Sequence, residues 1–223
     1  SESMSFKEYP VMAELAAEEL NQGAEGILIT HGTDTLHYSS AILSFMLQGL
    51  QKPVCLVGAQ RSPDRGSFDG ALNLICAGVV SGYSDIGEVV IVMHGESSDT
   101  YCSVLRGTKV RKMHSTRRDT FTPINEKPLA KVWPSGDIEY TNTYTKRGDN
   151  EVIADTVLEE KVAMLKAYPN SNPEILDFLV DKQYKGVLFE ATALGHLPTD
   201  TVDKNYSWLS AVKRAREEGM HIA

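Results

Sequence analysis

The sequence is poor in cysteine, and its cysteines follow no ligand or disulfide pattern. Cys55, Cys76 and Cys102 are an odd number among 223 residues, and no two of them have CxxC spacing. This pattern does not fit a disulfide framework or a zinc site, and it favours a reducing, cytoplasmic location. Because Cys55 and Cys76 lie in apolar runs, we expect both to be small core residues.

Long apolar runs and metal-ligand spacings are also missing. No stretch approaches the about 18 continuous apolar residues that a membrane-spanning helix needs, so association with a membrane is not predicted. The six histidines lack a spacing such as HxxxH on a helix, so no metal site is predicted. His31 and His94 each follow a predicted strand, and we interpret them as structural hydrogen-bonding residues.

Positively charged side chains are fewer than negatively charged ones. The chain has 22 Lys and Arg against 30 Asp and Glu, which gives a formal net charge of −8. Such a surface is poorly suited to gripping a phosphate backbone over most of its area. One segment departs from this balance, and its basic residues are Arg106, Lys109, Arg111, Lys112, Arg117 and Arg118.

Short β-branched apolar runs alternate with stretches of helical spacing. The predicted strands are 26–30, 54–58 and 88–93, and the predicted helices are 9–21, 38–50 and 69–81. This order predicts an α/β fold of the flavodoxin-like type, with a mostly parallel sheet flanked by helices.

A polar, turn-rich segment divides the chain. We predict an N-terminal α/β domain at 1–130, a linker or hairpin at 131–160, and part of a second, smaller α/β domain at 161–223. Ser1 is not an initiator methionine, and the last residues resemble the opening of a strand. We therefore expect a fragment of a longer protein that is truncated at its start.

The loop after the first predicted strand contains the motif HGTDT at 31–35. Loops at the carboxyl ends of parallel strands form the ligand crevice of such sheets. Asp34 or Thr35 could simply cap the following helix. The alternative is a hydroxyl placed for acyl chemistry beside a carboxylate that can hold a substrate ammonium.

Two further loops also have alternative interpretations. The loop at 58–74 is either a solvated, self-paired charged segment or part of the site, and its Asp69 could cap the next helix. The loop at 93–121 is either a basic surface strand or the carrier of a lysine that activates a threonine hydroxyl.

These loops, in their order, resemble the asparaginase-like amidohydrolases. The matching motifs are HGTDT, GAQRS followed by DR, RGTKVRKMH followed by RRDTF, and ATALGH. Plain asparaginases share HGTDT and a lysine-bearing loop. The motifs GAQRS and KVRKMH are most similar to the D subunits of archaeal glutamyl-tRNA(Gln) amidotransferases, and the resemblance covers nearly the whole chain.

The resemblance implies roles for five residues. Thr33 and Asp34 match the second threonine and the aspartate of the family's active site, and Lys112 matches the lysine that pairs with that threonine. Ser1 and Glu2 match a motif that binds the amino-acid end of the substrate. Such a substrate needs an anion for its ammonium and an activated hydroxyl for its amide carbon. We expect Thr33, Asp34 and Lys112 to converge within hydrogen-bonding reach.

Two features depart from the family pattern. The family's primary nucleophile is a threonine in a TGGT loop; the sequence contains no such motif, and we expect that threonine upstream of Ser1. Ala191 and Ala193 stand where the family usually has glycine. An alanine with positive φ would be strained, so either this loop differs in conformation or this copy of the motif is degraded.

The function implied by the resemblance is that of a glutaminase subunit. It would hydrolyse glutamine through a threonine acyl-enzyme and supply ammonia to a partner E-type amidotransferase subunit that binds Glu-tRNA(Gln) and converts it to Gln-tRNA(Gln). No cofactor is expected in this chain, and ATP and Mg²⁺ are expected on the partner. The family also suggests a homodimer of this subunit within a heterotetramer.

Two other functions remain open. A free-standing L-asparaginase would have the same fold and act on asparagine, with no RNA pathway. A non-catalytic or structural member of the family would keep the fold alone, and the missing TGGT motif and the two alanines favour it.

Overall fold

The computed structural model describes residues 2–223 and divides the chain into two compact units, one ending at Val157 and the other spanning Leu158–Ala223. The helices are α1 (Glu8–Asn21), α2 (Leu36–Met46), α3 (Gly70–Tyr83), α4 (Glu174–Asp181) and α5 (Leu209–Glu217). The strands of the first unit are β1 (Ile27–Thr30), β2 (Leu47–Gln48), β3 (Val54–Val57), β4 (Val89–His94), β5 (Cys102–Arg106), β6 (Val110–Lys112), β7 (Phe121–Pro123), β8 (Ala130–Val132), β9 (Ile138–Tyr140) and β10 (Ile153–Ala154). Those of the second unit are β11 (Val162–Lys166), β12 (Gly186–Glu190) and β13 (His221–Ile222). None of these helices combines the length and the apolar character that crossing a bilayer requires.

Six strands form the central sheet of the first unit, in the order β1-β3-β4-β5-β8-β9. The first three are parallel, with Ile27 opposite Val54 and Val54 opposite Val89. Every residue of β3 and β4 is buried, which explains why the sequence of these strands is continuously apolar rather than alternating. The predicted α/β fold with its parallel strands is confirmed, and β5, β8 and β9 extend the sheet in antiparallel fashion.

Helix α3 covers one face of this sheet and completes a core. Cys55, Cys76 and Cys102 are fully buried in that core and have free thiols. Burial raises the pKa of Cys55 to about 12, so its thiol stays protonated and unreactive at neutral pH. The predicted core position of Cys55 and Cys76 is confirmed.

The polar segment after residue 130 belongs to the first unit. Strands β8 and β9 form a hairpin at the edge of the central sheet, and β10 pairs with β2. The compact first unit therefore continues past the hairpin to Val157.

The second unit is a small parallel sheet with its own core. Its strands lie in the order β11-β12-β13, and α4 and α5 contribute to a core centred on Trp208. Trp208 is almost fully buried, and its indole N–H donates to Ser171 Oγ at 3.1 Å. The strand predicted at 186–190 is confirmed.

Candidate active site

The loop after β1 and the end of β6 meet at the carboxyl end of the parallel strands. Thr33 and Asp34 lie between β1 and α2, the crossover that leads on to β3. Lys112 is the last residue of β6, where it pairs with Phe121 of β7. The β6–β7 ribbon thus brings a residue from a distant part of the chain to the first loop.

Lys112 contacts both predicted partners. Its Nζ atom donates to Thr33 Oγ1 at 2.9 Å and to Asp34 Oδ1 at 2.8 Å. The lysine side chain is 9% exposed, whereas that of Asp34 is 54% exposed. The predicted convergence of these three residues is confirmed. A hydroxyl in contact with a largely buried amine, beside a solvent-facing carboxylate, has the groups required for proton transfer and for binding an ammonium.

Thr35, one of the two candidate caps of α2, does not cap it through its side chain. Thr35 occupies the N-cap position of α2, but its side chain makes no capping hydrogen bond. Asp34 instead shares the amine of Lys112 with Thr33. Two polar residues of this loop, Thr33 and Asp34, therefore contact Lys112.

Gly58 allows the first loop to approach the end of β3 closely. A Cβ atom at this position would lie 2.5 Å from the carbonyl oxygen of His31 and 3.1 Å from Thr33 Cγ2. The first contact is with backbone, which cannot move without shifting the loop. The position of Thr33 therefore depends on a glycine here.

We expect Gly58→Ala to damage both stability and activity. The added methyl would push the His31–Thr33 backbone away from Lys112 and lower the free energy of unfolding by about 1–3 kcal/mol. Gly78→Ala is a matched control, because a Cβ at that helical position meets nothing within 4 Å. Chemical denaturation of both variants provides the measurement, and equal stabilities would show that the loop tolerates the methyl group.

Asp69, which from the sequence could have capped α3, does not cap it. It occupies the N-cap position, but its side chain makes no capping hydrogen bond. Its carboxylate instead accepts the backbone N–H of Gln60 at 3.1 Å and that of Arg61 at 2.8 Å. Asp69 is fully buried. It therefore fixes the backbone of the loop at 58–74 near the site. The preference of aspartate for N-cap positions does not reveal this role in the sequence.

Asn73 supports Asp69 from one turn further along α3. Its Nδ2 atom donates to Asp69 Oδ2 and to the carbonyl of Gly58, both at 2.9 Å. Its Oδ1 atom lies 2.6 Å from His94 Nδ1. Asn73 is fully buried and thus joins the ends of β3 and β4 to the start of α3.

His94 extends this buried hydrogen-bond network towards the surface. Its Nε2 atom lies 3.0 Å from Asp99 Oδ1, and Arg118 donates to the same oxygen at 2.5 Å. The hydrogen bond from His94 and the charge of Arg118 hold the pKa of Asp99 below its usual value. The structural role predicted for His94 is confirmed.

His31 is also a structural residue. Its Nδ1 atom donates to the carbonyl of Gly32 at 2.6 Å, which leaves Nε2 to accept a hydrogen bond from Ser39 Oγ at 2.9 Å. Burial lowers the pKa of His31, in keeping with this neutral tautomer. The ring thus ties the first loop to α2.

The other predicted site residues are Ser1 and Glu2. Ser1 lies outside the described residues, and Glu2 is exposed in a turn at residues 2–3. Their role in substrate binding stays a prediction. Among residues 2–223, no group of three or more His, Cys, Asp or Glu side chains is placed to hold a metal ion.

The alanine-containing loop of the second unit keeps a left-handed turn. Ala193 has φ 48° and Gly195 has φ 99°, whereas Ala191 is not among the residues with positive φ. The left-handed conformation costs a non-glycine residue roughly 1 kcal/mol. Strain is therefore present at Ala193, where the structure retains the turn despite the alanine.

An apolar cavity of about 670 Å³ adjoins the first two loops. Its wall includes His31, Gly58, Phe68 and Leu74. A volume of this size is in the range of small-molecule sites. Because the wall is mostly apolar, the charged and proton-transferring groups of the site are Thr33, Asp34 and Lys112 rather than groups of the cavity wall.

Comparison with known proteins supports the resemblance found in the sequence. Residues 1–146 match the family described as "Asparaginase, N-terminal". Over its full 223 residues the chain is 53% identical to the D subunit of the glutamyl-tRNA(Gln) amidotransferase of Pyrococcus furiosus and 52% identical to that of Pyrococcus abyssi. It spans about half of these relatives, since each alignment covers 49% of their length. A thermostable L-asparaginase from Thermococcus kodakarensis superposes with a TM-score of 0.82 at 25% identity, covering 99% of this chain and 62% of that structure.

Proposed function

Because the chain belongs to the asparaginase family, we propose that it forms part of the glutaminase subunit of a tRNA-dependent amidotransferase. The observation that carries the amidohydrolase assignment is the contact of Lys112 with both Thr33 and Asp34. The choice of the amidotransferase is supported by 53% identity to a D subunit, against 25% to a solved L-asparaginase.

In this proposal Thr33 and Lys112 move protons, and Asp34 binds substrate. In the acyl-enzyme route a threonine oxygen displaces the amide nitrogen of glutamine as ammonia, and water then releases glutamate. Lys112 in its neutral form accepts the proton of the Thr33 hydroxyl, 2.9 Å away. The exposed carboxylate of Asp34 provides the counter-charge for the ammonium of glutamine.

The partners follow from the same assignment. We place Glu-tRNA(Gln), ATP and Mg²⁺ on an E-type partner subunit, and this subunit as a homodimer within a heterotetramer in the cytoplasm. The net charge of −8 supports a division in which the partner makes most contacts with RNA.

A free-standing L-asparaginase is the second candidate. The superposition on an L-asparaginase supports it, because the two chains share their fold. The motifs GAQRS and KVRKMH, which are similar to the amidotransferase subunits rather than to plain asparaginases, speak against it.

The assay that tests the proposal measures ammonia release by the complete gene product. We expect hydrolysis of glutamine, co-purification of a second protein, and stimulation by Glu-tRNA(Gln). Rapid hydrolysis of asparagine by the isolated protein, with no response to tRNA, would identify a free-standing asparaginase instead. If the natural complex hydrolyses neither glutamine nor asparagine, the result would favour the non-catalytic alternative.

A further inference from the structure

The Thr33 hydroxyl has a second neighbour besides Lys112. Thr33 Oγ1 donates to the side-chain oxygen Oε1 of Gln60 at 3.4 Å. A charged ammonium can only donate hydrogen bonds, so Thr33 Oγ1 accepts from Lys112 and its own proton must point elsewhere. Gln60 Oε1 is the acceptor towards which that proton points.

This direction is opposite to the one that catalysis requires. For Lys112 to act as a base, the Thr33 hydroxyl must donate to a neutral lysine nitrogen. In the structure the hydroxyl donates to Gln60 instead, and the lysine remains the donor. The amide of Gln60 therefore favours the charged lysine over the neutral one.

The backbone of Gln60 is held in this position by a buried side chain of α3's N-cap. Its backbone N–H donates to the buried carboxylate of Asp69 at 3.1 Å, and Asp69 in turn accepts from Asn73 at 2.9 Å. Because this support is fully buried, the backbone from which the Gln60 side chain extends is fixed. Gln60 is thus presented to Thr33 by a rigid part of the unit.

Other ionisable groups surround Lys112 and stay in place when Gln60 is changed. Asp34 contacts its amine at 2.8 Å, and Arg111 precedes it on β6. His37 of α2 has a pKa lowered by burial and then by the charges of Arg111 and Lys112. Strand β7, which pairs with β6, consists of Phe, Thr and Pro and adds no charge.

We propose that Gln60 is a positioning residue that directs the Thr33 hydroxyl and thereby sets the pH range in which Lys112 can accept its proton. The catalytic part of this inference rests on the proposed function, whereas the hydrogen-bond geometry does not. A carboxylate at position 60 would favour the charged lysine further. An apolar side chain of similar length would leave the hydroxyl free to turn towards Lys112.

The test compares the complete gene product with its Gln60→Glu and Gln60→Met variants. Competitive labelling of lysines with acetic anhydride, followed for each lysine by mass spectrometry, gives the pH of half-maximal labelling of Lys112. We expect this pH to rise by about one unit in Gln60→Glu, because an opposite charge within about 6 Å favours the charged form. In Gln60→Met it should fall below the wild-type value. Lys146, which is exposed and distant in sequence, serves as the internal control.

The rising limb of the pH profile of kcat should move in the same order, with KM for glutamine changed less than about threefold. Equal labelling midpoints in the three proteins would overturn the inference, whether or not they hydrolyse glutamine. If the wild-type protein releases no ammonia but the midpoints shift as expected, the proposed function fails and the role of Gln60 stands. Circular dichroism shows whether each variant is folded, and the Met variant alone suffices if the Glu variant is not.

Discussion

Lys112→Ala in the complete gene product is expected to lower kcat for glutamine hydrolysis by about 10³-fold, within the usual range for loss of a general base. KM should change little, because Lys112 contacts the Thr33 hydroxyl and acts in the transition state rather than on the bound substrate. Steady-state ammonia release measures both constants.

Two other variants sharpen this expectation. Lys109→Ala removes a lysine of the same segment that hydrogen-bonds Asn125 and does not take part in the site, so it should leave kcat unchanged. Asp34→Ala should raise KM as well as lower kcat, since the substrate ammonium would lose its counter-charge. If Lys112→Ala keeps most of the wild-type kcat, Lys112 is not the base.

Asn73→Leu is expected to lower the free energy of unfolding by about 3 kcal/mol, because it removes one hydrogen-bond partner from a buried carboxylate and one from a buried histidine. The leucine side chain has the same number and branching of heavy atoms, so the loss reflects hydrogen bonding rather than a cavity. Asp69 would lose the donor at 2.9 Å, and His94 Nδ1 would lose its contact at 2.6 Å.

Urea denaturation followed by circular dichroism measures this change, with the exposed Asn150→Leu as the control for the chemical substitution itself. Asn73→Leu should also have a lower kcat, since Asp69, which holds the backbone of Gln60, would lose one of its donors. A loss below about 1 kcal/mol would mean that water or another side chain replaces the amide.

Strands β3 and β4 of the parallel half of the central sheet could be predicted from the sequence because they are buried on both faces. Continuous apolar runs such as residues 54–57 are typical of that environment, and the structure places them in β3 and its neighbours. The antiparallel half could not be predicted in the same way. Strands β8 and β9 have three residues each, and their place at the sheet edge depends on the long-range pairing of β8 with β5.

The site was partly predictable for a different reason. The motif HGTDT and the lysine of KVRKMH were recognisable from a resemblance, and their contact was expected from the chemistry. The roles of Gln60, Asp69 and Asn73 depend on which oxygen faces which N–H, and that depends on the packing of α3 against the ends of two strands. One signal was present: Asp69 and Asn73 are polar residues four positions apart at the start of a mainly apolar helix.

The buried contacts of Asp69 and Asn73 also determine where this scaffold can be cut and rejoined in a chimaera. The segment from Gly58 to Asn73 closes on itself through hydrogen bonds to the Gly58 carbonyl and to the N–H groups of Gln60 and Arg61. A loop from another protein grafted between residues 58 and 69 would separate the loop backbone from the Asp69 and Asn73 side chains that belong with it. A graft that also carries the first turn of α3 would transfer Asp69 and Asn73 together with the loop as one exchangeable module. The recipient chain must then have a histidine at position 94 to contact Asn73.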